Sequence, residues 1–156
     1  RHNMTPDAFL DFVHDIDVGV LSPDPGLRDM IDALPGRKFI FTNGTQDHAT
    51  RVATRLGISD LLHDIFDIVS ANYVPKPNAQ IYPDMLAQFG IEARRSAFFE
   101  DMARNLPPAR ALGMTTVLLR EPDTPDYGGP VGDEHIDHHA PNVKDILARI
   151  LNHLGG

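Results

Sequence analysis

Lys38-Phe39-Ile40-Phe41-Thr42-Asn43-Gly44 decides how the chain is read, because an apolar run that ends abruptly in small polar residues marks a buried strand delivering a site. Three consecutive apolar residues suit a strand covered on both faces. At its end Thr42 brings a hydroxyl, Asn43 tolerates a turn conformation, and Gly44 lets the backbone approach a ligand closely. Gln46 and Asp47 then open a helical pattern, so amide N–H groups at the helix start face whatever lies beyond the strand. Open α/β sheets bind anions at that place. Strand-Thr-x-Gly-helix is equally an ordinary turn when taken alone, and the choice between the two falls to later stretches.

Upstream of the strand, Asp24 caps a helix with Pro25 in its first turn; Leu27, Met30, Ile31 and Leu34 repeat at helical spacing before Pro35-Gly36 stops it. Earlier still, Thr5 and Pro6 open a short amphipathic helix carrying Phe9, Leu10, Phe12 and Val13, and His14 to Pro25 read as a linker. Downstream, the pattern predicts a helix from Asp47 to Leu56 with Val52, Ala53 and Leu56 inward and Gly57 as its stop. Ile65 to Val69 is a second strand ending at Ser70-Ala71-Asn72, and Tyr73-Val74-Pro75-Lys76-Pro77 is an extended loop, since two prolines forbid regular pairing. A helix over Asn78 to Phe89 follows, with Pro83 kinking it or marking its true start and Gly90 closing it. Ala97 to Phe99 is a third strand, ending on Glu100-Asp101. Helical signal runs through Asn105 and again from Ala109 to Leu112, until Gly113. Thr115 to Leu119 is a fourth strand, Glu121 to Asp133 a Pro/Gly-rich loop, and His135 to His139 a short edge strand. Asn142 caps a final helix with Asp145 three residues on and Val143, Ile146, Leu147 and Ile150 toward the core. Strands alternating with helices predict an α/β fold, a parallel sheet with helices on both faces.

The 156 residues suffice for one domain that buries roughly two thirds of its unfolded surface. A formal net charge of -8 without any Lys/Arg run argues against nucleic acid or an anionic membrane as the main partner. A small anionic substrate stays compatible, because a few local donors outweigh the global field. With no cysteine there is no disulfide framework, thiol nucleophile or thiolate zinc site, as suits a reducing compartment. No apolar run reaches the roughly 18 residues of a spanning helix, and the N-terminus lacks a signal-peptide core. A soluble cytoplasmic protein is expected.

In a parallel sheet the loops that follow the strands open on one edge. Thr42 to Gly44, Lys76 and Glu100-Asp101 therefore place a hydroxyl, a backbone donor, an ammonium and two carboxylates on that edge, which is equipment for a phosphate oxygen and a hard cation. Paired acids at a strand end favour a magnesium-like ion. Lys76 alone reads as a solvated loop lysine and Glu100-Asp101 alone as a helix cap; order and spacing together favour the functional reading. His135, His138 and His139, set among Asp133, Glu134 and Asp137, invite a metal reading that the spacing does not support. Adjacent His138 and His139 point to opposite faces of a strand, and no fourth ligand stands at suitable spacing.

Phe41-Thr42-Asn43-Gly44, Val74-Pro75-Lys76-Pro77 and Phe98-Phe99-Glu100-Asp101-Met102-Ala103-Arg104-Asn105-Leu106 resemble the second, third and fourth motifs of haloacid dehalogenase-like phosphatases, most of all the pyrimidine 5'-nucleotidase-like branch. The resemblance runs from about Phe9 to Arg120. It implies a Rossmann-like three-layer core and Mg²⁺-dependent hydrolysis of a phosphomonoester through an aspartyl-phosphate, with nucleoside monophosphate as the suggested substrate class. Thr42, Asn43 and Gly44 would bind the phosphate, Lys76 would neutralise nucleophile and phosphoryl charge, Asp101 would ligate the metal, Glu100 would stand beside it or order its water, and Asn105 would brace the loop. The family's first motif, a buried strand followed by Asp-x-Asp, is the departure. Asp15-Ile16-Asp17 imitates its spacing, but helical Phe9-Leu10-Asp11-Phe12-Val13-His14 precedes it, so the linker reading is preferred to the catalytic one. On that reading residues 1–20 are the end of a helical cap and its linker, residues 21–156 are the core domain, and the first strand, the nucleophile and most of the cap are missing. The missing strand would lie between those ending at Thr42 and Glu100, supplied by an upstream segment or another polypeptide. A haloacid dehalogenase and a non-catalytic phosphate-binding scaffold are the alternatives.

Overall fold

The structure is a computed structural model that describes residues 17–121, 123–125 and 131–156. The helix expected over Thr5 to Val13, and Asp15 with it, lie outside the described residues. The chain divides into two compact units, one reaching to Pro75 and the other running from Lys76 to Gly156.

In the first unit Asp17 caps a single 3-10 turn, Val18–Val20, its carboxylate accepting the Gly19 N–H at 2.7 Å. Helix α1, Pro25–Ala33, starts as its sequence dictates: the Asp24 carboxylate accepts the Leu27 N–H at 2.9 Å and Pro25 takes the first position. Strand β1, Phe39–Phe41, pairs in parallel with β2, Asp64–Phe66, with Ile40 opposite Ile65. Helix α2, Gln46–Leu56, crosses between them, capped by Thr45 and closed by Gly57 in the left-handed region at φ 77°. Its buried line is Ala49 and Ala53, while Val52 and Leu56, expected inward, are half-buried.

Strand β2 is shorter than the apolar run suggests. The run breaks at Asp67, whose carboxylate takes the Ser70 N–H and turns the chain, so Ile68 and Val69 leave the strand. The expected extended loop also begins otherwise, because Asn72 and Tyr73 both adopt positive φ, 51° and 61°.

In the second unit, helix α3 spans Ile81–Phe89. Pro83 lies within its first turn, where a missing N–H forfeits no helical bond, and Gly90 ends it at φ 58°. Strands β3, Ala97–Glu100, β4, Thr115–Leu119, and β5, His138–Ala140, form a parallel sheet in that order, with Phe99, Val117 and His138 in register. Helix α4, Leu106–Ala111, follows a 3-10 turn over Ala103–Asn105. Pro107-Pro108 sit in its first turn and so begin the helix where the sequence suggested an interruption. The strand expected over His135 to His139 is delayed: Asp133–His135 is a 3-10 turn, and Asp137 anchors the start of β5 by accepting the Thr116 N–H at 2.9 Å. Helix α5, Val143–Leu154, is capped by Asn142, which accepts the Asp145 N–H at 3.0 Å. Its Ile146 joins Val117 and Ala140 in a buried cluster, with Phe99, Leu119 and Ile150 packed against them.

Each described strand pair is parallel, and helices α2, α3 and α4 separate the successive strands from β1 to β4, which is a Rossmann-like α/β arrangement. Among the described residues no strand pairs with the second edge of β1 or of β3, and no helix is long and apolar enough to cross a membrane.

Candidate active site

The loop after β1 is tied down from both sides. Thr42 donates its N–H to the Phe66 carbonyl at 2.9 Å, and Ile68 donates to the Gly44 carbonyl at 3.1 Å. Within the loop the Gly44 N–H donates to Thr42 Oγ1 at 2.9 Å. With that lone pair used, the Thr42 hydroxyl proton is oriented to donate elsewhere, which is the polarity an oxyanion needs. Helix α2 begins directly afterwards, with Thr45 Oγ1 accepting the His48 N–H at 3.3 Å and Asp67 Oδ2 accepting the Gln46 N–H at 3.0 Å.

Asp67 was not among the residues expected at a site. It is 5% exposed, and Oδ1 accepts both the N–H and the hydroxyl of Ser70, each at 2.8 Å. Burial pushes its carboxyl up, but the hydrogen bonds from Ser70 and from the Gln46 N–H outweigh it and hold the group below the usual aspartate range. The signal for it was an acidic residue inside the apolar run Ile65 to Val69.

In the second unit Lys76 and Glu100 form a buried ion pair, Nζ to Oε2 at 2.6 Å, with the side chains 9% and 6% exposed. Glu100 Oε1 accepts the N–H groups of Asp101 and Met102, both at 3.2 Å, so both carboxylate oxygens are engaged. Burial raises the Glu100 carboxyl above the usual range, against the opposing pull of the Lys76 charge. The Lys76 ammonium also lies 5.3 Å from the Phe98 ring centroid. Asp101 is exposed at the end of β3. Asn105 is 2% exposed; its carbonyl accepts the Tyr82 hydroxyl proton at 2.7 Å, while its side-chain oxygen is buried without a hydrogen-bond partner among the described residues. Tyr82, fully buried and with its hydroxyl pushed well above the usual range by burial, ties helix α3 to the turn that follows β3. Sequence reasoning missed it, since a tyrosine at that helical position reads simply as core.

Thr42, Asn43 and Gly44 thus belong to one tightly bonded loop, and Lys76, Glu100, Asp101 and Asn105 to a second cluster in the other unit. Among the described residues no group of three or more His, Asp or Glu has metal-holding geometry. Asp101, an oxygen donor open to solvent, fits a hard cation as a single ligand; Glu100, with both oxygens committed, fits the lysine. Asp17 spends its carboxylate on the Gly19 N–H. Asp137, whose carboxyl is held low by the Thr116 N–H and hydroxyl and by Arg110, serves the start of β5.

The model of haloacid dehalogenase-like hydrolases matches residues 6–113. Bifunctional epoxide hydrolase 2 of Sus scrofa is 33% identical over 88 residues, covering 54% of this chain and 16% of its own length. Among solved structures, a dehalogenase with an intermediate complex superposes with a TM-score of 0.67 at 17% identity, over 81% of this chain and 55% of that one. A HAD family hydrolase from Deinococcus radiodurans R1, with bound phosphate and sodium, gives 0.63 at 19% identity, over 86% and 61%. The chain therefore spans only part of the length of the proteins it matches.

Proposed function

The chain belongs to the haloacid dehalogenase-like hydrolase family, and from that premise we propose that it is the core of a phosphomonoester hydrolase, with a small phosphorylated substrate of the nucleoside monophosphate class. The observation that carries this reading is the Lys76–Glu100 pair at 2.6 Å. Burying a lysine costs free energy that an ordinary loop lysine avoids, and a carboxylate gripped by two backbone N–H groups holds the ammonium in one place at a strand end.

In the proposed reaction a carboxylate attacks phosphorus, the ester P–O bond breaks, and the leaving oxygen takes a proton from a second acid. Water then cleaves the acyl phosphate, releasing phosphate and restoring the carboxylate. Thr42 and Asn43 hold the phosphoryl oxygens on a loop that Gly44 closes by donating its N–H to Thr42 Oγ1, and Lys76 neutralises charge as it builds. Mg²⁺, held by Asp101 and with Glu100 behind it, would supply further charge neutralisation when bound. The attacking aspartate and the strand that carries it are assigned to a segment outside the described residues, upstream or on a partner chain.

Turnover of para-nitrophenyl phosphate with Mg²⁺, by this chain and by a form extended upstream, tests the reading. Activity in the extended form alone is the expected result. Activity in neither form supports a phosphate-binding scaffold, and activity of this chain that Asp15→Asn abolishes would return the nucleophile to Asp15.

A further inference from the structure

We infer that Asp67 is a positioning residue for the phosphate loop, acting through the Gln46 N–H to fix the register between Thr42–Gly44 and the start of helix α2. The inference rests on the phosphatase reading above. Three bonds cross from the loop to the turn after β2. Two are backbone to backbone, Thr42 N–H to the Phe66 carbonyl and Ile68 N–H to the Gly44 carbonyl, and no substitution other than proline removes their donors or acceptors. The third, from the Gln46 N–H, depends wholly on the Asp67 carboxylate.

Both oxygens of that carboxylate are engaged. It receives three donors on two oxygens: Gln46 N–H on Oδ2, and Ser70 N–H and Ser70 Oγ on Oδ1. An acceptor-only group suits three converging donors, whereas an amide of the same shape turns an N–H₂ toward one of them. The donors of the first turn of α2 are largely spent internally, Gln46 on Asp67 and His48 on Thr45. Phosphate oxygens then fall to the preceding loop, led by the Thr42 hydroxyl, and Asp67 secures the placement of that loop against the helix. A loop that presents donors to a transferring group loses its effect when displaced by about an ångström.

The test uses whichever form of the protein turns over para-nitrophenyl phosphate, with inorganic phosphate as competitive inhibitor. Asp67→Asn is expected to raise both KM and the phosphate inhibition constant roughly tenfold, with kcat changed by less than about threefold. Gln46→Pro removes only the donor, at a first helical position that tolerates proline, and decides the matter if the aspartate variant does not fold. It is expected to shift both constants in the same direction, and the double variant to go no further than either single one. Ser70→Ala leaves the Gln46 bond in place, so its KM is expected to stay within about twofold of wild type while its thermal stability falls. Unchanged constants in both Asp67→Asn and Gln46→Pro overturn the inference, as does a KM shift in Ser70→Ala that matches Asp67→Asn. A wild-type protein that neither turns over the ester nor binds phosphate overturns the phosphatase reading, and the inference with it.

Discussion

Asp67 and Glu100 are both buried carboxylates at the ends of strands, yet they are displaced in opposite directions. For Asp67, hydrogen bonds from Ser70 and Gln46 outweigh burial; for Glu100, burial outweighs the lysine and the two backbone donors. The difference has a measurable consequence at Asp67. Its folded carboxyl titrates below its unfolded value of about 3.9, so the stability it contributes is fully present above that pH and is lost as pH falls through the folded value. Wild type is therefore expected to exceed Asp67→Asn in urea resistance at pH 6 by a margin that narrows steadily toward pH 2.5. A constant margin across that range would show that the charge on Asp67 is not what stabilises the turn. Such a residue was hard to see in the sequence, because Ile65-Phe66-Asp67-Ile68-Val69 reads as a strand with one polar position. The meaning of Asp67 depends on donors from Gln46 and Ser70, the first of which is 21 residues away.

Helices were easier to read than strands, and the reason is chemical. Asp24, Asn142, Gly57 and Gly90 act on neighbours two to four residues off, so their effect is encoded locally. Gly57 is the sharpest case, since at φ 77° any side chain is strained even where space is open. Gly57→Ala is expected to cost about 1 kcal/mol in urea unfolding, and Asn at the same position less. Strand ends depend instead on what the partner strand and the following turn offer. That is why β2 stops at Phe66 and β5 waits until His138, anchored by Asp137 on Thr116. Pro107-Pro108 misled for a related reason: a proline pair signals a break only if the position within the helix is unknown, and in the first turn it signals a beginning.

For the molecule as a whole, the order of loops along the chain carried most of the information. Lys76 and Glu100 were both singled out from sequence, but their pairing was not, because a lysine in a proline-rich loop and an acid at a strand end advertise no partner. The parallel α/β architecture was legible from alternation. Among the described residues β3 keeps one edge unpaired, and that edge is written into the direction of individual peptide groups. Thr115 N–H reaches the Ser96 carbonyl, and strand geometry alternates, so the N–H groups of Ala97 and Phe99 face away from β4. In deuterated water the amides of Ala97 and Phe99 are expected to exchange faster than that of Phe98, which faces β4; equal protection of all three would show that this edge has a strand partner of its own. The Phe99 amide would then serve as a built-in gauge of whether that side of the sheet is covered, readable before any substrate is found.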